Sequence, residues 1–368
     1  MFANKKLVAV AALTLVSGLA NAQSALKIYG YLEAGYGSYK AAGDTSSVTK
    51  VESGNMMTSF LGFAGAEDLG GGLKAEFALE TFIGVDSGAT VPNQAGQFFG
   101  RSSWVGLSGG FGKLALGQYD NPLFTAGLSY NPFGSSMVFS PTMRQYYNLG
   151  STSSARATNL VKADTAWINS ITYETPTLAG FSGTLQYAPK ESASGKDSSS
   201  YSVGLAFNRG ALSLMGTYTD AGANVSSSTP TALAYPAVFR AASLNGSYDF
   251  GFLKAFAQYT DFKYNSGAGA LVPASGSTTV VANLTGLTKA ETYQLGVSAP
   301  ITASGTLMAS YGKAKYKQTG ANATNEIYSV GYDQALSKRT SAYAAFTSEK
   351  LTTVSGGHAV AVGLKHNF

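Results

Sequence analysis

The sequence predicts an all-β fold, a transmembrane antiparallel β-barrel of sixteen strands in a single domain. Three observations lead there. The last eleven residues, His358-Ala-Val-Ala-Val-Gly-Leu-Lys-His-Asn-Phe368, put Val360, Val362, Leu364 and Phe368 on one face. Ala359, Ala361, Gly363, Lys365 and Asn367 fall on the other. A period of two means strand, and about ten residues, apolar on one side only, is what a tilted membrane-spanning strand needs. Composition is the second observation. Charged residues are 12% of the chain, against about 25% in soluble domains, while 44 glycines, 22 tyrosines and 20 phenylalanines are present. The third is the spacing of turn signals, which alternates between short and long connections.

The termini agree. Lys5 and Lys6, the apolar stretch from Leu7 to Val16, and Ala20-Asn21-Ala22 read as a secretory signal peptide over residues 1–22. The apolar stretch is too short to span a bilayer, and Gln23 offers no cysteine for a lipid anchor. Residues 23–368 are then the barrel. A chain that stops on a strand suggests that this strand is paired in order to close the barrel. Without Lys5 and Lys6, 23 basic residues face 20 acidic ones, a net of +3 that is too slight for a nucleic-acid partner. There is no cysteine, hence neither disulfide nor thiolate metal site.

Internal segments repeat the alternation. Tyr201, Val203, Leu205 and Phe207 oppose Ser202, Gly204 and Ala206; Leu244, Gly246, Tyr248 and Phe250 oppose Asn245, Ser247 and Asp249. Tyr293, Leu295 and Val297, and then Tyr328, Val330 and Tyr332, do the same. Leu73 to Glu80 also fits helical spacing, but Gly70-Gly71-Gly72 beside it decides for strand. Strands are expected to begin near residues 26, 57, 73, 100, 111, 168, 181, 201, 211, 240, 252, 291, 305, 326, 339 and 358. Fourteen or eighteen strands also fit the spacing. Short turns are expected at 67–72, 108–112, 208–211, 249–252, 300–305 and 336–339. Longer polar loops are expected at 40–56, 84–97, 190–200, 221–235, 265–289 and 318–325. Short turns on one rim and long loops on the other describe an outer-membrane barrel.

Residues 118–164 form a connection too long for an ordinary loop. They hold Asn121-Pro122, Asn131-Pro132-Phe133-Gly134, Pro141, Arg144, Tyr146-Tyr147 and Arg156. Loops this long are functional or disordered, and clustered prolines and aromatics argue for order. Folded inward, the loop would constrict the lumen that a sixteen-stranded barrel leaves open; folded outward, it would be an extracellular flap. Arg101 on a membrane strand must face water or protein. It serves either as a pore-lining charge or as a pin holding the loop. Glu33, Lys74, Glu76 and Glu80 project to the same polar face, where bland solvation competes with a specific site. Tyr29, Tyr31, Tyr36, Tyr328 and Tyr332 either stack on sugars or belong to the interfacial girdle.

Several segments resemble the general porins of Gram-negative bacteria, of the betaproteobacterial and neisserial type. They are Gly65-Ala-Glu-Asp-Leu-Gly-Gly-Gly-Leu-Lys-Ala-Glu-Phe77, Phe99-Gly-Arg-Ser-Ser-Trp-Val-Gly-Leu-Ser108, Phe111-Gly-Lys-Leu-Ala-Leu-Gly117, Ile28-Tyr-Gly30, Asn169-Ser-Ile-Thr-Tyr173, Thr175-Pro176 and Val362-Gly-Leu-Lys-His-Asn-Phe368. The resemblance implies a sixteen-stranded homotrimeric channel whose third loop enters the pore. It also marks departures. Where the family carries two basic wall residues, this chain has Phe60 and Ala64 in Ser59-Phe-Leu-Gly-Phe-Ala-Gly65. Thr165-Ala-Trp-Ile168 stands where a further wall arginine is usual. Arg101 alone matches, and Arg144, Arg156 and Lys162 face only Asp120 and Asp164 on the loop. The family's usual ion preference therefore does not carry over.

No enzymatic constellation emerges, and no cofactor is expected. His358 and His366 sit eight residues apart on one strand, ~27 Å at strand rise, too far to share a metal. No Gly-x-Ser-x-Gly elbow occurs, and the glycines lack the helix of a phosphate loop. The expected function is passive diffusion of small hydrophilic solutes and ions through the outer membrane. A channel selective for an organic acid or sugar is the alternative, and an adhesin without conductance the third class. Phe368 is expected to act in assembly. Gly30, Ala34, Gly62 and Gly106 are expected to allow close packing between subunits.

Overall fold

In hydrocarbon a strand must find every backbone partner within the protein, so a membrane sheet has to close. The computed structural model describes residues 26–90, 97–147, 165–190, 199–222, 239–264, 287–318, 322–352 and 354–368. The signal peptide, Arg156, Lys162 and Asp164 lie outside the described residues. Strands β1 (Lys27–Lys40), β2 (Val48–Ser53), β3 (Phe60–Gly70), β4 (Leu73–Phe82), β5 (Ser102–Gly109), β6 (Gly112–Asp120), β7 (Ala166–Glu174), β8 (Phe181–Ala188) and β9 (Ser200–Arg209) make the first half. The second half holds β10 (Leu212–Ala221), β11 (Phe239–Asp249), β12 (Lys254–Tyr264), β13 (Leu287–Pro300), β14 (Gly305–Gln318), β15 (Ala323–Ala335), β16 (Thr340–Leu351) and β17 (Gly357–Asn367). Neighbours in sequence pair antiparallel except β2 and β3, and β17 pairs with β1 from Tyr31↔Asn367 to Lys40↔His358, which closes the sheet.

Sixteen wall positions result, because β2 and β3 share one. Both pair with β1, β2 against Ala34–Tyr39 and β3 against Lys27–Tyr31. Residues 48–53 are thus strand, where the sequence reading has loop. The run Val48-Thr-Lys-Val51 has enough β-branched character to extend the ladder. The break between the halves is tied down by Glu33, whose carboxylate accepts the Asn55 N–H (2.6 Å) and the Tyr343 hydroxyl. The expected loop at 318–325 is likewise entered by strand at both ends, since β14 runs to Gln318 and β15 begins at Ala323.

The two faces invert the pattern of a soluble sheet. On β11, Leu244 is 66% exposed while its neighbour Asn245 is 1% exposed. Apolar side chains meet lipid and polar ones turn inward. Tyr36, Tyr218, Tyr259, Tyr293 and Tyr328 are exposed outward toward the long-loop rim, while Phe181, Phe250, Phe252 and Phe368 are exposed at the short-turn rim. These are the two aromatic girdles. Tyr29 and Tyr31 instead point inward. Gly62 and Gly106 also face the lumen: a Cβ at Gly62 would lie 2.6 Å from the Tyr29 ring, and Gly106 pairs with Glu76. They are unavailable for packing between subunits, which corrects the sequence-based expectation.

The last residue completes the seam. Phe368 N–H donates to the Gly30 carbonyl and Gly30 N–H to the Phe368 carbonyl, both at 3.2 Å. The ring lies over Gly30, where any Cβ would come 2.5 Å from Cζ. Deleting Phe368 removes both bonds and one girdle residue. The expected outcome is a several-fold loss of the compact, heat-modifiable band on unheated gels of outer membranes; an unchanged band would contradict this role.

A lumen occupied by an inward loop

The connection after β6 carries two short helices, α1 (Pro122–Ser129) and α2 (Pro141–Tyr147). The local sequence explains both. Asn121 caps α1 by accepting the Leu123 N–H (2.9 Å), and Pro122 takes the first helical position, where no N–H is needed. Asn131 turns the chain: its Oδ1 accepts from Phe133 N–H (2.8 Å), and its amide donates to the Gly127 (2.6 Å) and Gly134 (2.9 Å) carbonyls. Ser140 Oγ accepts from Met143 N–H at 3.3 Å, and Pro141 opens α2.

Side chains from half the barrel hold this loop. Asn121 donates to Gln186 of β8 (3.0 Å), Tyr130 bonds Ser213 of β10 (2.9 Å), and Gln258 of β12 donates to the Gly127 carbonyl (3.0 Å). Thr142 N–H reaches Gln294 of β13 (3.0 Å), Gln145 donates to Asn325 of β15 (3.2 Å), and Tyr146 bonds Thr260. Burial pushes the Tyr146 hydroxyl up to about 12, so it stays protonated. Ser136 Oγ donates to the Asn55 carbonyl (2.5 Å), joining the loop to the break that Glu33 secures. Gly204, Gly296, Gly312 and Gly331 leave room on the wall for Pro122, Pro132, Pro141 and Phe133 respectively. Leu123, Phe124, Met143, Tyr146 and Tyr147 pack with Trp167, Phe239, Phe262 and Tyr316 into an apolar core inside the barrel. A bulge in β7, with Asn169 at φ 52°, turns Trp167 and Ser170 both inward.

Arg144 is at the centre of this attachment. It is 0% exposed and pairs with Glu349 of β16, whose other oxygen accepts from Asn325 at 2.6 Å. Arg144 thus pins the loop and presents no charge to open water. Glu33, 1% exposed, is also part of the framework.

The wall from β3 to β7, apart from Trp167, is the part of the lumen these contacts leave uncovered. Arg101 is here, with its side chain 25% exposed. Its guanidinium pairs with Glu80 and stacks 3.9 Å from the Phe60 ring centroid, while Tyr29 donates to Glu80 at 2.5 Å. One residue that replaces the family's wall cation therefore becomes the platform for the cation that remains. Lys113 lies 3.4 Å from Glu174 and over the rings of Trp104 and Tyr119, and Tyr119 donates to Glu174 at 3.0 Å. Lys74 is exposed and Glu76 half-buried on β4; Asp120 is half-buried at the root of the loop. The structure brings together Arg101, Glu80 and Asp120, leaves Glu76 and Lys74 further along the inner face of β4 toward the short-turn rim, and separates Arg144 and Glu33 from them. Sequence reasoning missed Trp104, Lys113, Tyr119, Glu174 and Glu349. Strand parity was the available signal: Trp104 follows Ser102 on the inner face, and Glu349 follows Tyr343, Ala345 and Thr347.

A model of the Gram-negative porin family matches residues 9–353 of this chain. The chain belongs to that family. It is 30% identical to an outer membrane porin protein of Bordetella pertussis, over 99% of this chain and all of that one. It is 32% identical to outer membrane porin protein 32 of Delftia acidovorans, over 92% of this chain and 87% of that one. The match to a major outer membrane protein P.IB of Neisseria gonorrhoeae, at 34% identity, covers 53% of this chain and 51% of the relative. Among solved structures, an anion-selective porin from Comamonas acidovorans superposes with a TM-score of 0.70 at 26% identity, covering 94% of this chain and all of that one. The protein is a diffusion channel of the general porin type in the bacterial outer membrane, and family membership implies transport rather than catalysis.

Glu349→Ala leaves Arg144 charged, buried and without its carboxylate. Breaking such a pair costs about 3–5 kcal/mol. The expected result is a lower thermal midpoint together with noisier, larger single-channel conductance, as the loop detaches from a barrel that still closes. Conductance and midpoint both equal to the parent's would refute the pinning role.

Proposed function

We propose that the chain is a homotrimeric, weakly anion-preferring channel whose water path runs between the inward loop and the β3–β7 wall, with the loop at 118–164 as its narrowest part. A cleaved signal peptide over residues 1–22 delivers it to the outer membrane. The observation that carries the reading is the one-sided attachment of the loop. Its described anchors engage β8 to β16 and the Asn55 break, and leave Arg101, Lys113, Lys74, Glu76 and Glu174 partly exposed on the uncovered wall.

Weak selectivity follows from pairing. Arg101 is held by Glu80 and Lys113 by Glu174, so the field reaching a passing ion is a residue of opposed charges, screened over ~10 Å at 0.1 M salt. Lys74, Arg101 and Lys113 face Glu76, Glu80, Asp120 and Glu174 there, so the wall by itself is not positive. Arg156 and Lys162 against Asp164 on the loop add one positive charge, which only offsets the wall, so the sign of the proposal rests on the likeness to an anion-selective porin. Arg144, neutralised by Glu349, drops out of the field. Paired charges, and no further built site in the lumen among the described residues, favour general diffusion over a channel dedicated to one organic acid or sugar.

Arg101→Ala leaves Glu80 unbalanced. Its reversal potential in a salt gradient across a planar bilayer is expected to move toward cations, and the Arg156→Ala/Lys162→Ala double variant in the same direction. An unchanged potential in both would show that the path lies elsewhere. For the trimer, Ala34 on β1, beside Leu32 and Leu61 and next to the Phe368 ring that covers Gly30, supplies a surface of small and apolar residues. Crosslinking in mild detergent is expected to capture three chains; a stable conducting monomer would contradict it.

A further inference from the structure

On the outward face of β12–β16, at the long-loop rim, charges are distributed unevenly. Lys263, Lys289, Lys313, Lys315, Lys317 and Lys350 share this face with Asp261, Glu291 and Glu326. Lys289 pairs with Asp261 (3.2 Å) and Glu291 (2.9 Å), and Lys313 with Glu326 (2.7 Å). Lys315, Lys317 and Lys350 make no ion pair with a described acid; Lys315 lies over the Tyr293 ring at 5.3 Å. On β10 and β11 the corresponding level holds one balanced pair, Asp220 and Arg240.

A second feature lies directly below. Ala255 and Ala309, among Leu295, Val297, Tyr311 and Val330, leave an apolar groove of about 630 Å³ in the lipid-facing wall. Register places these parts in order. Leu295, Tyr311 and Tyr328 are level; the next outward row is Tyr293, Lys313 and Glu326; the next holds Glu291 and Lys315. From Val297 to the Lys313 row is four residues, ~13 Å at strand rise. The groove therefore sits in the hydrocarbon, the tyrosines at its boundary and the lysines among headgroups.

We propose that this face holds one phosphorylated, acylated lipid of the outer leaflet, with an acyl chain in the groove and phosphate on Lys313, Lys315 and Lys317, flanked by Lys289 and Lys350. Neither half suffices by itself. Lysines at a rim bind any anion weakly, and hydrocarbon in the groove merely replaces other hydrocarbon. A lipid whose phosphate stands one headgroup above its chain satisfies both, and the excess of three positive charges selects an anionic headgroup over a zwitterionic one. Lys313, Lys315 and Lys317 lie on β14, with β15, β16 and β17 between them and β1, so a subunit contact centred on Ala34 of β1 leaves these lysines open to lipid.

The test uses the folded, full-length protein in zwitterionic micelles, incubated with diphosphoryl lipid A and read by native mass spectrometry. One retained lipid A per chain is expected, against negligible phosphatidylcholine. Lys313→Gln/Lys315→Gln/Lys317→Gln should lower retention at least tenfold. So should Ala309→Trp, which fills the groove and leaves every lysine in place. Both should conduct like the parent. Should the triple variant fold poorly, Lys315→Gln alone with Ala309→Trp decides. Equal retention by parent and variants would overturn the proposal, as would equal retention of phosphatidylcholine. Release of the lipid by an equal concentration of inorganic phosphate would reassign the lysines to free phosphate. Loss of subunit assembly with lipid retention intact would make the face a contact between copies of the chain.

Discussion

Every backbone amide that crosses hydrocarbon has to be paired inside the protein, and the rest of this structure follows from that demand. An open sheet would expose an edge at a cost of several kcal/mol per unpaired group. The chain avoids an edge by returning Phe368 to Gly30. Closure then dictates the faces. Alternate side chains point outward to lipid, so those between them must point inward to a common space, and in sixteen strands that space is too wide to fill from the wall alone.

The inward loop answers this geometry. It brings its own apolar core, built from Leu123, Phe124, Met143, Tyr146 and Tyr147, against wall aromatics that would otherwise face water. It gives a partner to wall polar groups, the Gln258 amide N–H, the Gln294 amide oxygen and the Asn325 amide oxygen, with its own backbone and side chains. Glycine is as important on the wall as in the turns, since Gly296 and Gly331 admit Pro132 and Phe133 at distances no other residue allows. The loop is fastened on one side, and the opposite wall keeps its exposed charges. In the proposed reading, the asymmetric attachment of the described part of the loop leaves the water path along that wall.

Much of this was legible in the sequence. The fold class followed from period-two runs and turn spacing. Sixteen is the strand count the sequence favours, with fourteen and eighteen left open. The overlong connection reads as inward, as the family resemblance implies, with an outward flap as the alternative. The structure decides for sixteen positions and an inward course. Strand starts at the short-turn rim agree closely, as at Leu73, Phe181 and Gly305. At the long-loop rim β13 begins at Leu287 and β15 at Ala323, three or four residues early, because strands protrude past the hydrocarbon there and polar residues such as Lys289 and Thr324 blur the alternation. Arg144 was misread for a different reason. A basic residue between aromatics resembles a pore charge, and its carboxylate partner lies 205 residues away on β16. The aromatic and charged cluster of Trp104, Lys113 and Tyr119 is a product of register between β5 and β6, which no single segment discloses.

The chain has no cysteine, so single cysteines can report which side of the lumen conducts. Lys113→Cys lies on the uncovered wall; Thr260→Cys lies behind the loop, where Thr260 bonds Tyr146. Adding a charged methanethiosulfonate reagent during planar-bilayer recording should change the current through Lys113→Cys within seconds and leave Thr260→Cys unaffected. A current change in Thr260→Cys with none in Lys113→Cys would contradict the placement of the channel between the loop and the β3–β7 wall.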